Sequence, residues 1–214
     1  MNITDKITIT NEDNMLLMSR YPDNYFDLAI VDPPYGIKDS KRIRNDNKGR
    51  GLDRWKNKSN IEWDNKPTDN YWDELFRVSK NQIVWGANNF IMPPSEYFLI
   101  WNKKQTVENF ASAEYAWVSM GLKKPALVFE YGIHKHNHTY KIHPTQKPID
   151  LYKFIIEKYA KQGDKILDTH LGSGSIAIAC HDYKFELTAC ELDVDYYNKA
   201  IQRIVNHTNQ TKLF

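Results

Sequence analysis

Asp32-Pro33-Pro34-Tyr35 directly follows the apolar run Leu28-Ala29-Ile30-Val31. Neither proline has an N–H to give a β-ladder, so a buried strand stops at the acid. The stiff turn that follows presents a carboxylate, carbonyls fixed in direction and an aromatic ring. A second group has the same layout. Ile166-Leu167-Asp168 ends a strand, and Thr169-His170-Leu171-Gly172-Ser173-Gly174 then leads into a helix. Glycines let the backbone approach a ligand without a side-chain clash. The strand-end acid can hold an ammonium or a hydroxyl. Glu191 ends the next strand about twenty residues on, where a ribose diol sits in a Rossmann-like unit. Ala177 stands where a third glycine would be, which argues against a dinucleotide and for an adenosine cofactor without phosphates.

Strands alternating with helices must position these turns. Lys6–Thr10 alternates and reads as a strand, and Asp27–Val31 reads as a buried one. Gln82–Gly86, Tyr97–Trp101, Ala126–Tyr131, Lys165–Thr169 and Glu186–Leu192 read as further strands. Helices are expected over Thr68–Ser79, with Trp72, Leu75 and Phe76 on one face and Thr68 as N-cap, and over Ile149–Lys161, Ser175–Asp182 and Val194–His207. Many of the strands are purely apolar, which predicts a mostly parallel sheet covered on both faces.

The chain of 214 residues reads as a single domain, 1–214, with enough apolar content for a core. No apolar run has the length of a membrane span, and the N-terminus lacks a signal peptide's apolar core, so a cytoplasmic protein is expected. Cys180 and Cys190 sit in apolar surroundings and read as reduced core thiols rather than a disulfide or metal pair. The net charge is only +2, but nine Lys/Arg against three Asp lie between Lys38 and Lys58. Such a run is most often a solvated loop, but its place directly after the Asp32–Tyr35 turn favours a phosphate-contacting surface more than composition alone would.

DPPYG at 32–36, HPTQKP at 143–148, DTHLGSGS at 168–175 and ELDVDYY at 191–197, in this order, resemble the amino-methyltransferases that modify DNA bases with S-adenosylmethionine. The motif order is similar to the circularly permuted β group. The resemblance implies an α/β, Rossmann-like class I methyltransferase fold with helices on both faces of a seven-stranded sheet. Its reversed final hairpin would fall at 97–101 and 126–131. The resemblance also assigns residues. Asp168, Gly172, Ser173 and Gly174 would form the loop at the cofactor's methionine side, and Glu191 would meet the ribose hydroxyls. Asp13 would meet the adenine amine, and Thr145, Gln146 and Lys147 would reach the cofactor's carboxylate.

By the same resemblance Asp32, Pro33, Pro34 and Tyr35 are catalytic, with Asp32 also touching the cofactor site. Asp32 and the Pro33 carbonyl would each accept an N–H of the target amine, favouring a nitrogen whose lone pair faces the methyl group. Tyr35 would stack on a base flipped out of double-stranded DNA. No metal is needed. Asp at the first position points to adenine-N6; cytosine-N4 enzymes usually carry Ser there. A DNA-binding regulator with a degraded cofactor site is the reading from another class. A homodimer and a cognate restriction endonuclease are partners that the family admits. Two departures stand out. Thr169-His170 replaces the family's usual Pro-Phe. Only Gly132–Ile142 remains of the usual recognition segment, so DNA contact is expected to move to residues 37–66 and to Lys41, Arg42, Arg44, Arg50 and Arg54.

His134, His136 and His138 alternate and would share one face of a strand, as metal ligands can, although a polar loop near phosphate fits them better. Trp55 and Trp63 flank the basic run and suit either base stacking or, for Trp63, a core anchor. Asn102-Lys103-Lys104-Gln105 reads as an ordinary polar turn or as the lining of a DNA cleft. If residues 37–66 form the DNA surface, replacing Arg42, Arg44, Arg50 and Arg54 together with Ala weakens duplex binding. The log–log salt slope should flatten by about 0.9 per lost phosphate contact. Titrations over a range of salt would read this, and an unchanged slope would move the DNA surface to residues 102–109 or 132–142.

Overall fold

The computed structural model describes residues 2–36, 65–106, 108, 111–123, 125–137, 141–143 and 145–210. The chain opens with β1 (Asn2–Thr4), β2 (Ile7–Asn11), α1 (Asn14–Met18) and β3 (Leu28–Val31). It continues with α2 (Asp69–Val78), β4 (Gln82–Trp85), β5 (Phe98–Asn102), β6 (Ala113–Val118) and β7 (Leu127–Glu130). The last part holds α3 (Ile133–Asn137), α4 (Ile149–Tyr159), β8 (Lys165–Asp168), α5 (Ser175–Tyr183), β9 (Glu186–Glu191) and α6 (Val194–Thr208).

One sheet runs in the order β1-β2-β9-β8-β3-β4-β6-β5-β7. Strands β2, β9, β8, β3 and β4 are mutually parallel, so their carboxyl ends share one edge. β6 is antiparallel to both β4 and β5. Its first residues, Ala113 and Glu114, therefore lie at that same edge.

The apolar run of β3 is buried on both sides because the sheet is covered on both sides. Leu28 and Ile30 join Ile83, Trp85, Leu151, Ile155, Ile178 and Ile204 in one core. Ala29 and Val31 join Leu17, Tyr71, Leu75, Val78 and Val84 in the other. Side chains alternating along a strand divide a single run between two cores. α2 buries Tyr71, Leu75 and Val78. Trp72 and Phe76 are only partly buried against the same core, and Thr68 holds the N-cap position without a side-chain hydrogen bond.

The strand count and the reversed element differ from expectation. Seven central strands, β2 to β5 in sheet order, carry β1 and β7 as added edges. The strands at 98–102 and 127–130 are parallel to each other, and the reversal belongs to β6 alone. The AEYAWV sequence of β6 begins with an acid and two alanines in four residues, so it lacks an apolar alternation to reveal it. The alternating histidines also do not lie on a strand. Residues 133–137 form the short helix α3, and buried His136 bonds through Nε2 to the Gln146 carbonyl at 2.6 Å. Cys180 and Cys190 are buried and free.

Candidate active site

A cavity of about 360 Å³ opens at the carboxyl edge of the parallel strands. That is within the range of small-molecule sites, roughly 300–1,000 Å³. One side of its wall is the Asp32–Tyr35 turn after β3, and the other is Leu171–Ser173 after β8 with Glu191 at the end of β9. Asp13 after β2 and the 143–147 segment complete the enclosure.

Each wall residue is held by a local bond. Glu191 accepts from the Gly172 N–H at 2.8 Å and from the Asp193 N–H at 2.9 Å. Burial still pushes its carboxyl above the usual range, against the backbone donors. Gly172 adopts φ +55 and brings the backbone to the cavity. Asp13 caps α1, accepting from the Met15 N–H at 2.8 Å. Glu12 beside it takes Arg20 through two bonds, at 2.5 and 2.6 Å. Thr145 is exposed and approaches His143 Nδ1 through its N–H and hydroxyl, at 3.3 and 3.1 Å. The Gln146 side-chain oxygen is turned back to the Ile142 N–H at 3.1 Å.

In the Asp32–Tyr35 turn, the Tyr35 hydroxyl donates to Asp32 Oδ1 at 2.8 Å. The ring lies against Gly86, after β4, where a Cβ would come within 2.1 Å of Tyr35 Cε1. Gly86 also has φ +64, so two constraints demand glycine there. Burial, above all, pushes the Tyr35 hydroxyl up. Asp32 Oδ2 accepts from the ammonium of Lys147, whose side chain is only 3 % exposed. Lys147 was expected at the cofactor's carboxylate. Its ammonium is instead engaged by Asp32, with Glu114 Oε2 at 3.3 Å.

Asp168 and Gly174 stand behind the wall rather than on it. Gly174 has φ +73, and a Cβ there would lie 2.7 Å from Ile204 Cδ1, so this glycine lets α5 pack on α6. Asp168 Oδ1 accepts from the His170 N–H at 2.9 Å and shapes the turn. Burial raises its carboxyl to about 8 despite that bond. Thr169 and His170 form a polar chain. Buried Tyr71 meets Thr169 Oγ1 at 2.7 Å, Thr169 Oγ1 meets His170 Nδ1 at 2.9 Å, and Asn14 Nδ2 meets His170 Nε2 at 3.1 Å. Burial lowers the His170 imidazole to about 3 and that of His143 to about 4.

The Asp32–Tyr35 turn and the Gly172 turn thus bound one acidic, partly enclosed cavity at one sheet edge. A family model described as DNA methylase, N6_N4_Mtase, matches residues 52–202. The chain belongs to this N6/N4 DNA methylase family. Among its relatives, the type II methyltransferase M.BglII of Bacillus subtilis is 23% identical over 261 aligned positions, covering 96% of this chain and 71% of that protein. M.HinfI of Haemophilus influenzae is 25% identical, covering 95% and 70%. M.HpaI of Haemophilus parainfluenzae is 31% identical over 86 residues, covering 40% of this chain and 27% of its own length. Solved structures share the fold. The M1.HpyAVI–SAM complex superposes with a TM-score of 0.56 at 19% identity, covering 92% of this chain and 98% of its own. The cytosine-N4-specific PvuII DNA methyltransferase gives 0.55 at 13% identity, covering 97% and 93%.

In this DNA methylase, sequence reasoning missed Glu114, Asn14, Tyr71 and Gly86. Glu114 was hidden with its strand. Gly86, in Trp85-Gly86-Ala87-Asn88, reads in sequence only as the end of a strand, although a glycine there is also a turn signal. Lys41, Arg42, Arg44, Arg50, Arg54, Trp55 and Trp63 lie outside the described residues. Lys103, after β5, pairs with Glu114 at 2.6 Å, and Lys104 with Glu130 at 2.5 Å.

The raised carboxyl of Asp168 gives a pH test. Below its unfolded value of 3.8 the group is protonated in both states. As pH climbs toward the folded value of about 8, only the unfolded chain ionises, so stability is lost across that window. Asp168→Asn keeps the Oδ1 acceptor and removes the ionisation. Its stability advantage in urea denaturation should grow between pH 4 and pH 8, by on the order of several kcal/mol, and then level off. A pH-independent difference would mean that Asp168 is ionised in the folded protein.

Proposed function

We propose that this chain methylates the exocyclic N6 of adenine in DNA, with S-adenosylmethionine as methyl donor. The observation that carries the reading is the Asp32–Tyr35 turn and the Gly172/Glu191 wall facing one cavity. The residues present fit the donor. Glu191 offers lone pairs to the ribose hydroxyls, Asp13 an acceptor for the adenine amine, and the acidic wall suits a ligand carrying a sulfonium and an ammonium. The bound donor supplies a methyl group already activated on sulfur, so the chain's task is positioning.

Asp32 and the Pro33 carbonyl each accept one N–H of the target amine and draw its lone pair out of conjugation. Tyr35 offers a ring to the flipped base, with stacking worth on the order of 1–3 kcal/mol. Asp at position 32 supports adenine over cytosine. The basic run through Lys41, Arg42, Arg44, Arg50 and Arg54 is the proposed contact with duplex phosphates.

Expressing the protein in cells without DNA methylation and sequencing their DNA for modified bases tests the reading. N6-methyladenine at a fixed site is expected. N4-methylcytosine would reassign the base, and unmodified DNA would leave the DNA-binding regulator. Asp32→Ala should abolish methylation while donor binding survives, and activity within tenfold of the unmodified protein would remove Asp32 from the reaction. Glu191→Ala should weaken donor binding by roughly 1.5–3 kcal/mol in calorimetry, the worth of a charge-assisted hydrogen bond. Unchanged affinity would place the ribose elsewhere.

A further inference from the structure

Lys147 is the one ammonium that touches the Asp32 carboxylate among the described residues. It is buried, and burial alone would push its proton off; Asp32 first, with Glu114, outweighs that and holds it charged. The ammonium also lies 5.3 Å from the Trp85 ring centre. Its backbone is anchored separately, since the Ser175 hydroxyl donates to the Lys147 carbonyl at 2.8 Å. Its second carboxylate, Glu114, is itself paired with Lys103. Burial would raise the Glu114 carboxyl, but Lys147 and Lys103 bring it below the usual range. Asp32 is thus held at both oxygens, by the Tyr35 hydroxyl and by Lys147.

We propose that Lys147 is a positioning residue for methyl transfer: seated between Asp32 and Glu114, its ammonium holds the Asp32 carboxylate in place and aims it into the cavity. Glu114 is the counter-charge that makes a buried ammonium tolerable there. The inference rests on the proposed reading of Asp32 as the acceptor for the target amine. An acceptor must keep its lone pairs directed at the amine. Glu191 and Glu114 are acids of the same cavity region, while buried Asp168 keeps its proton and adds no charge. Tyr35 and Tyr152 are neutral, His143 is held neutral by burial, and Lys103 is engaged by Glu114. Among the described residues, only Lys147 places positive charge directly on Asp32.

Lys147→Met keeps the length of the side chain and removes the charge. The acid limb of the kcat/KM profile should move to higher pH by about one to three units, the usual effect of losing a neighbouring cation. At pH 7 kcat should fall at least tenfold, with donor affinity within threefold. Glu114→Gln removes a negative neighbour, keeps the shape and should move the limb the other way, to lower pH. The Asp32 carboxyl is also followed directly by ¹³C NMR on the cofactor-free protein, assigned by its loss in Asp32→Asn. Its titration midpoint should rise in Lys147→Met and drop in Glu114→Gln. That readout needs no DNA, so it decides the inference even if the unmodified protein methylates nothing and the functional reading falls. A uniform loss of activity with midpoints in place would overturn the proposal. So would a large loss of donor affinity with kcat retained, which would return Lys147 to the cofactor's carboxylate.

Discussion

The crowding of carboxylates at one sheet edge is the constraint from which the site follows. Parallel strands bring all their carboxyl ends to the same side, and in this chain most of those ends carry an acid. Glu12 and Asp13 follow β2, Glu191 closes β9, Asp168 closes β8 and Asp32 follows β3. The reversed β6 then delivers Glu114 to the same place. Like charges this close repel, and burial raises the cost of each. These acids are relieved by near neighbours. Arg20 takes Glu12, the first turn of α1 takes Asp13, backbone N–H groups take Glu191, and Asp168 keeps its proton. Asp32 takes a phenol and an ammonium. Separate partners leave each acid with its own direction.

The 143–147 segment ties this arrangement together. His136 holds the Gln146 carbonyl, Gln146 holds the Ile142 N–H, and Ser175 at the start of α5 holds the Lys147 carbonyl. The backbone of Lys147 thus belongs to the glycine-turn side of the cavity, while its ammonium belongs to the Asp32 side. One residue spans the two halves. Removing one partner of a buried ion pair typically costs about 3–5 kcal/mol, because the other charge is left behind.

Much of the fold was legible because its signals are local. Apolar runs ending in acids gave β3, β8 and β9, and strong helical periodicity gave α2, α4 and α6. β6 was not legible, since its acid and alanines suit a place between two other strands rather than a half-buried face. The candidate site divides in the same way. Residues within a compact motif, such as Asp32, Tyr35, Gly172 and Glu191, could be found from spacing. Partners brought in by topology could not. Glu114 reaches Lys147 only because β6 is reversed, and Tyr71 reaches Thr169 only because α2 packs on the second core. Asp168 and Gly174 belong to the same turn as the wall residues, and spacing does not distinguish the front of a turn from its back.

Thr169-His170 illustrates how a departure from a family pattern can remain consistent with the site. An apolar ring is held by packing, whereas His170 is held by directional bonds. With Asn14 Nδ2 donating to Nε2, the proton sits on Nδ1 and is given to Thr169 Oγ1. Threonine in front of the histidine is therefore part of the same solution, since proline has no hydroxyl to offer. Tyr71 and Asn14 are the other requirements, and they bind the turn after β8 to α2 and α1. The exchange adds no charge. An imidazole lowered to about 3 is neutral at any physiological pH, so the cavity wall keeps its net negative character. A charged histidine at this position would oppose any cationic ligand. A neutral one, fixed on both ring nitrogens, substitutes hydrogen bonds for packing and leaves the electrostatics of the cavity unchanged.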